Sequence, residues 1–402
     1  MGKTFLSLFV VLTIVCVGFA VGSAQPAKSG KTPIKIGVSN SLTGGFSVYA
    51  VDFQKGIELA VAEINAKGGI NGHPVEIVVR DDESDAVRAT NNVRDLAQAG
   101  CLVMVGFADF GLQTAAAPVV EEVKLPCVQL APIDPPYFEG GYNFGGIWWS
   151  MESATLARLK AFGELGLRRV AHLAPKDPVG EINEKFLRQL ASKAGVELVA
   201  TEWMLLTDTD VTPQLTKLRA AKPDAIFNDG SGKAAVIQFK SLKRLGWKVP
   251  MAANDANTSP SFIDAMGQDT DVVLVVGCPT AIRPDSIPKT VPTRDQIIAF
   301  TKNYRAKTGQ PAGSIGAQGY DAIRSLFPVL EKVRPDPAKE KLQAMRDRIR
   351  KELENQCFQG LDWKICRTSK DHKGAQEAKF YIVRIEGKEF APITKADLAK
   401  FK

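Results

Sequence analysis

Short apolar segments and amphipathic segments alternate along most of this chain, and this alternation limits the folds that it can adopt. PIKIGVSN and CLVMVG have the β-branched or continuous apolar character of buried strands. DFQKGIELAVAEIN, which lies between them, repeats its apolar residues at helical spacing. Strands that alternate with helices predict a parallel, doubly wound α/β sheet.

The alternation starts again after residue 150, so that a second α/β half follows the first. RRVAHLAP and PDAIFND are predicted strands of this half, and VVLVVGCPT closes it near residue 280. Two further helices and a tail with antiparallel-looking strands around KFYIVRI come afterwards. Two similar halves, with later segments completing the first, predict two lobes joined by several crossings. Such lobes form a cleft that closes by hinge motion.

Composition excludes several classes of function. A chain of 402 residues exceeds the usual size of one compact domain, which also favours two lobes. The formal net charge is +7, but acids are interspersed with the bases and no aromatic–basic platform accompanies them, so no nucleic-acid partner is expected. Only three His are present, and none follows a predicted strand. We therefore expect no catalytic residues, no metal site and no cofactor.

The N-terminus has the composition of a secretory signal peptide. Lys3 precedes a long apolar run, and the small residues Gly22, Ser23 and Ala24 end it. This pattern predicts a signal peptide over residues 1–24, with cleavage after Ala24 and export of the remainder. A retained anchor helix is the alternative.

Five cysteines remain after such cleavage, and an exported chain meets an oxidising compartment. Cys101 and Cys127 each open an apolar run; on neighbouring parallel strands their α-carbons would lie ~5 Å apart, within disulfide reach. Cys357 and Cys366 flank a predicted hairpin and form a second candidate pair. Cys278 would then be the odd thiol.

Polar side chains follow many of the predicted strands, where ligands of open α/β sheets usually bind. Ser, Asp and Asn at such turns are also common helix N-caps, so each residue alone has that second interpretation. Together they predict an acidic cleft edge on both lobes, and aromatic residues lie nearby in the sequence. The acids are Asp81, Asp82, Asp109, Asp134, Asp229 and Asp255, and the aromatic residues are Phe46, Tyr49, Phe110, Tyr137, Trp148 and Trp149.

The segment SLTGGFSVYAVDFQKGIELAVAEINAKGGINGHPVEIVVRDDESD resembles the opening of the periplasmic leucine/isoleucine/valine-binding protein family. These are the type I solute-binding proteins of ABC importers. TDVTPQLTKLRAAKPDAIF and GAQGYDAIRSLFPVLEK are similar to later signatures of the family. The resemblance implies two Rossmann-like lobes with a ligand cleft between them and three interlobe crossings. Lobe 1 is expected to contain residues 33–150 and 281–334, and lobe 2 residues 151–280 and 335–402.

The resemblance carries over to some cleft residues and not to others. Tyr49 matches a cleft tyrosine of the family, and Asp255 lies where amino-acid binders place an acid against the ligand's ammonium group. Ser231 stands where those proteins use another cleft aromatic, and Val179 where they have a second-lobe tyrosine. The turn that supplies a serine hydroxyl to the ligand carboxylate holds Phe110 instead.

The next turn of the family supplies backbone groups and a threonine, and this sequence has Ile133, Asp134 and Pro135 there. Asp109 competes with any anion at the adjacent helix N-terminus, and Phe110 offers a face for apolar contact. We therefore expect an acidic cleft that favours a cationic group, while an α-amino acid held by backbone N–H groups stays open. The predicted ligand-binding residues are Phe46, Tyr49, Asp109, Phe110, Asp134, Trp149, Asp229, Ser231 and Asp255.

The resemblance implies a monomeric periplasmic protein that delivers a small solute to ABC permease and ATPase subunits in the inner membrane. An amino acid or related compound is the expected solute, and an aromatic acid, an amide or a urea-like solute is the alternative. A sensory ligand-binding subunit without transport is a further alternative. An enzyme would need a nucleophile–base pair, which this sequence does not offer.

Overall fold

The computed structural model describes residues 30–130, 141–146, 151–271, 273–374 and 380–401. The predicted signal peptide over residues 1–24 lies outside this part of the chain. Within the described ranges, no helix is both long enough and apolar enough to cross a membrane.

The first lobe is built on a parallel sheet with the strand order β2-β1-β3-β4-β5. Apart from the edge strand β2, its strands are buried because helices cover both faces, which explains their continuous apolar character. Its elements are β1 (Ile34–Asn40), α1 (Ser47–Ala66), β2 (Val75–Asp81), α2 (Ala86–Gln98), β3 (Val103–Gly106), α3 (Phe110–Val123), β4 (Cys127–Gln129) and β5 (Asn143–Phe144).

The second lobe repeats this strand order and extends it with two strands from the tail. Its elements are α4 (Met151–Glu164), β6 (Arg169–Pro175), α5 (Pro178–Leu190), β7 (Glu197–Met204), α6 (Thr212–Ala220), β8 (Ala225–Asn228), α7 (Lys233–Leu245), β9 (Met251–Ala253), α8 (Pro260–Met266) and β10 (Leu274–Gly277). Short 3₁₀ turns follow α5, β9 and β10. The strand order is β14-β13-β10-β9-β8-β6-β7, in which β13 and β14 are antiparallel additions at one edge.

The remaining elements complete both lobes. They are α9 (Arg294–Thr308), α10 (Ser314–Val333), α11 (Leu342–Leu353), β11 (Cys357–Gln359), β12 (Lys364–Cys366), β13 (Tyr381–Glu386) and β14 (Glu389–Pro392). Helix α10 packs closely on α1, and glycines make this approach possible. A Cβ added at Gly56 would lie 1.9 Å from the carbonyl oxygen of Gly316, and one at Gly319 2.1 Å from that of Phe53. The predicted fold of two Rossmann-like α/β lobes is confirmed.

The segment between α10 and β13 packs on the first lobe. The guanidinium of Arg346 donates to the carbonyl oxygen of Cys101 at 2.8 and 3.0 Å, and Arg367 donates to that of Gly145 at 2.7 and 3.0 Å. Among the described residues after α10, only β13 and β14 join the second sheet. This corrects the expected assignment of all residues 335–402 to lobe 2, because long-range hydrogen bonds from buried arginines hold residues 342–374 on lobe 1.

The two predicted disulfides have different outcomes. Cys357 and Cys366 face each other across the β11–β12 hairpin and are bonded, as predicted. Cys101 and Cys127 are separate buried thiols, so this predicted pair is wrong. The register pairs Met104 with Cys127, so Cys101 lies three residues away along the chain. At ~3.3 Å per residue the offset is about 10 Å, beyond the reach of a disulfide.

Candidate functional site

A cavity of about 70 Å³ lies between the carboxyl ends of the two sheets and is lined by both lobes. The turn after β3 and one face of α1 form its first-lobe wall. The turns after β8 and β9, together with faces of α4 and α5, form its second-lobe wall. The first-lobe residues are Tyr49, Phe53, Ala108, Asp109 and Phe110, and the second-lobe residues are Met151, Ala154, Arg158, Val179, Asn183, Ser231, Asn254, Asp255 and Ala256.

The lobes touch around this cavity, so the structure is a closed form. Phe110 of α3 packs against Val179 and Ile182 of α5 across the cleft. The backbone N–H of Ser261 in α8 donates to the Asp52 carboxylate of α1 at 3.3 Å. These contacts are few compared with the packing within each lobe, as expected for a cleft that opens and closes.

The first-lobe wall is mainly aromatic. The Tyr49 hydroxyl donates to the carbonyl oxygen of Ala108 at 3.0 Å, and burial raises the pKa of Tyr49 well above its ordinary value. This hydrogen bond fixes the ring against the turn after β3. Phe53 and Phe110 add apolar surface on either side. The predicted residues Tyr49 and Phe110 are thus brought together at one wall.

Asp109 caps the helix that starts at this wall. Its Oδ1 accepts a hydrogen bond from the backbone N–H of Gly111 at 2.7 Å. Burial raises the pKa of Asp109 to about 6, and the charge of Asp177 on the opposite lobe adds to this rise. The N-terminus of α3 is therefore already satisfied by its own carboxylate and is a poor site for a ligand anion.

Asp255 lies on the opposite wall, directly after β9. Its side chain is buried, and its Oδ2 has no hydrogen-bond partner in the part of the chain that the structure describes. Burial raises the pKa of Asp255 to about 7, an effect that the charge of Arg158 partly opposes. A buried carboxylate oxygen without a partner is costly, so a ligand that donates a hydrogen bond to it gains free energy.

Side-chain amides hold the neighbouring turns in place. Asn254 Nδ2 donates to the hydroxyl oxygen of Ser231 at 2.8 Å. Asn257 Nδ2 donates to the carbonyl oxygen of Gly230 at 2.9 Å, which ties the turn after β9 to the turn after β8. Ser231 and Asp255, both predicted from sequence, therefore share one rigid wall.

Arg158 is the main polar residue of the cavity that sequence analysis missed. Its side chain is buried in α4. Nη1 donates to the Asp229 carboxylate at 2.8 Å and Nη2 to the carbonyl oxygen of Asn228 at 2.9 Å. The guanidinium carbon lies 3.6 Å from the centre of the Phe227 ring, which covers one face of the charged group.

Asp229 lies behind Arg158 and does not line the cavity. Its second oxygen is 2.6 Å from His172 Nε2, and His172 Nδ1 is 2.8 Å from Glu184. Burial alone would lower the pKa of His172, but the carboxylates of Asp229 and Glu184 raise it above its ordinary value. Burial alone would raise the pKa of Asp229, but the positive charges of Arg158 and His172 lower it below its ordinary value. Both oxygens of Asp229 are occupied. The predicted ligand contact is therefore corrected to a role in positioning Arg158.

A family model described as periplasmic binding protein matches residues 33–389, most of the chain. This protein belongs to the periplasmic binding protein family. The match extends from the first strand into the antiparallel tail, and it agrees with the two-lobed fold and the cleft described above.

Several known proteins are similar to this chain over most of their length. The Leu/Ile/Val-binding protein homolog 1 of Brucella abortus is 23% identical over 351 residues, which cover 87% of this chain and 89% of that protein. The branched-chain amino acid transporter substrate binding protein LivJ from Streptococcus pneumoniae, solved with isoleucine, has a TM-score of 0.74 at 20% identity, covering 90% of this chain and 99% of that one. An ABC transporter solute-binding protein from R. palustris was solved with benzoate. It has a TM-score of 0.72 at 18% identity, and the match covers 90% of this chain and 96% of that one. At these identities the two structures support the fold alone.

The other predicted site residues of this family member lie away from the cavity or outside the described residues. Phe46 precedes α1 and packs in the core beside Tyr49, with their ring centres 6.1 Å apart. Asp134 and Trp149 fall in stretches that the structure does not describe. For the predicted site residues that do line the cavity, contact with a ligand also stays a prediction.

The helical period contains a signal that could have identified Arg158. The buried residues Met151, Thr155, Leu159 and Phe162 recur at helical spacing along α4, and Arg158 lies on the same stripe. A charged side chain on the buried face of an amphipathic helix requires a partner. A charged residue on the buried face of the first helix of a lobe is therefore a candidate site residue.

Proposed function

We propose that this protein is the periplasmic substrate-binding component of an ABC importer and that it binds a small solute, namely an amino acid or a related compound. The cavity that both lobes line carries the proposal, because a ligand there contacts both walls and stabilises the closed form. The buried, unpartnered oxygen of Asp255 supports a ligand with a hydrogen-bond donor. The aromatic first-lobe wall supports an apolar body.

An aromatic carboxylic acid is a second candidate solute. Tyr49, Phe53 and Phe110 give the first-lobe wall enough ring surface to stack against another ring. The benzoate complex of the R. palustris protein provides a precedent within the same fold. The two candidates differ at Asp255, which an ammonium group would engage and a plain aromatic acid would not.

A thermal-shift screen tests the proposal. The exported protein is unfolded and refolded to remove carried-over solute, and then heated with amino acids, aromatic acids, amides and polyamines. A ligand at about 100 times its Kd adds roughly 2.7 kcal/mol to the free energy of unfolding, which is a measurable rise in Tm. No rise with any member of this panel would contradict the proposed solute class.

A pair of variants then tests the site. Asp255→Asn removes the unpartnered carboxylate, and Asp295→Asn neutralises a carboxylate that is 97% exposed on α9. We expect the Tm shift caused by an amino-acid ligand to shrink in the first variant and to stay unchanged in the second. Equal shifts in both variants would remove Asp255 from the site.

A further inference from the structure

Among the described side chains that line the cavity, two buried polar atoms have no hydrogen-bond partner, and they differ in chemical character. Arg158 and Asp255 are each 4% exposed, and both line the cavity. Arg158 Nε is a charged donor without an acceptor, and Asp255 Oδ2 is an acceptor without a donor. Other polar side chains of the cavity have partners in the protein, namely Tyr49, Asp109, Asn183, Ser231 and Asn254.

The surroundings of Arg158 hold its side chain in one position. Of its five N–H groups, one points to Asp229 and one to Asn228, which leaves three available. Asp229 is held in turn by His172, and His172 by Glu184. With His172 protonated, the formal charges of these four side chains cancel. Groups of the protein therefore hold the guanidinium in place, and it still offers donors to a ligand.

The two walls of the cavity offer different groups to a ligand. Both unpartnered atoms belong to the second lobe, on α4 and after β9. At the first-lobe wall, Phe110 has no polar side-chain atom and Asp109 caps α3 with its own carboxylate. An anionic group of the ligand therefore has a charged partner on the second lobe and a carboxylate competitor on the first.

We propose that Arg158 binds a carboxylate of the ligand, so that the cargo is a small monocarboxylic acid with an apolar body. This inference rests on the proposed function and narrows its solute class. In a zwitterionic amino acid, the ammonium group donates to Asp255 while the carboxylate accepts from Arg158. The apolar part then lies against Phe53, Ala108 and Phe110. A dianion such as phosphate is disfavoured, because Asp229 already balances the charge of Arg158 and two further carboxyls line the cavity.

Matched probes test this inference on the unmodified protein. Leucine and leucinamide differ in the carboxylate, as do benzoate and benzamide, and isothermal titration calorimetry gives the Kd of each. We expect each binding acid to bind at least about tenfold more tightly than its amide, because hydrogen bonds to charged groups are the stronger ones. Amides that bind as tightly as their acids would overturn the inference and leave the proposed function standing. If no probe of either kind binds, both fail.

A double variant separates ligand contact from structural support. Arg158→Gln alone leaves Asp229 buried without its cationic partner, which endangers the fold. Arg158→Gln/Asp229→Asn removes both charges together, and circular dichroism and Tm check that the variant is folded. We expect the ratio of amide Kd to acid Kd to fall to about one. A purely structural role would weaken acids and amides by the same factor and keep the ratio, which would overturn the inference.

Arg188→Gln is the matched control for the double variant. Arg188 pairs with Glu184 at the solvent end of the same chain of charges and is 66% exposed. It does not line the cavity. We expect this variant to keep the wild-type ratio. If the double variant does not fold, the probe series on the unmodified protein still decides the inference.

Discussion

The disulfide Cys357–Cys366 closes a short loop, and the free energy lost with it can be calculated. The bonded residues are nine positions apart. Loop-closure entropy for a loop of this length corresponds to about 2.6 kcal/mol at 25 °C. An unfolding entropy of roughly 2.1 cal/mol/K per residue amounts to about 0.8 kcal/mol/K for this chain, so the double variant Cys357→Ser/Cys366→Ser should melt about 3 °C lower.

The position of the bonded hairpin adds a functional consequence. The carboxylate of Asp362, in the turn of the hairpin, accepts from the backbone N–H of Thr280 at 2.9 Å. Arg367, just after the hairpin, donates to Gly145. Thr280 and Gly145 lie where the chain passes between the lobes, after β10 and after β5. Loss of the disulfide should therefore weaken ligand affinity as well as stability, because the hairpin contacts two interlobe crossings.

Differential scanning calorimetry with and without dithiothreitol is the assay. In a chain that begins at residue 25, the denatured protein should show three free thiols before reduction and five after it. Reduction should lower the Tm of the wild type by about 3 °C and leave that of the double variant unchanged. An unchanged wild-type Tm after full reduction, or five thiols before reduction, would refute the reasoning.

Three further predictions follow from packing and burial. Gly319→Ala should lower the free energy of unfolding by more than about 2 kcal/mol in urea titrations, since its Cβ meets backbone, whereas Gly45→Ala has no neighbour within 4 Å and should be neutral. Burial raises the pKa of Asp362 to about 7, so the contribution of this group to stability is complete below pH 4 and is lost as the pH rises to 7; Asp362→Asn should flatten the fall in stability between about pH 4 and pH 7. Phe110→Ala removes the apolar contact with Val179 across the cleft, and small-angle scattering should show a larger radius of gyration; an unchanged radius would contradict the closing role.

Much of the fold could be predicted from the sequence because its determinants are local. The alternation of β-branched runs with helical periods identified the strands and helices of both lobes. The hairpin around Cys357 and Cys366 was equally local, since its turn brings the two residues opposite each other. At the site, the position at the ends of buried strands suggested Asp109, Phe110 and Asp255, and the family resemblance suggested Tyr49 and Ser231; all five line the same cavity.

Other features depend on contacts between distant parts of the chain, which no local pattern specifies. Strand register set Met104 opposite Cys127 and separated Cys127 from Cys101. Long-range hydrogen bonds from Arg346 and Arg367 placed the middle of the tail on the first lobe.

The sequence by itself determined that two α/β lobes enclose a cleft with acidic and aromatic edges. Periodicity and strand-end chemistry are properties of neighbouring residues, so they can be read along the chain. Only the tertiary structure decided which polar groups of the cleft are free to meet a ligand. Asp229 is occupied because Arg158 and His172 converge on it from other elements, whereas Arg158 and Asp255 keep unpartnered atoms. Hydrogen-bond satisfaction is a property of the folded neighbourhood, and here it exists only once the elements of the second lobe have packed together.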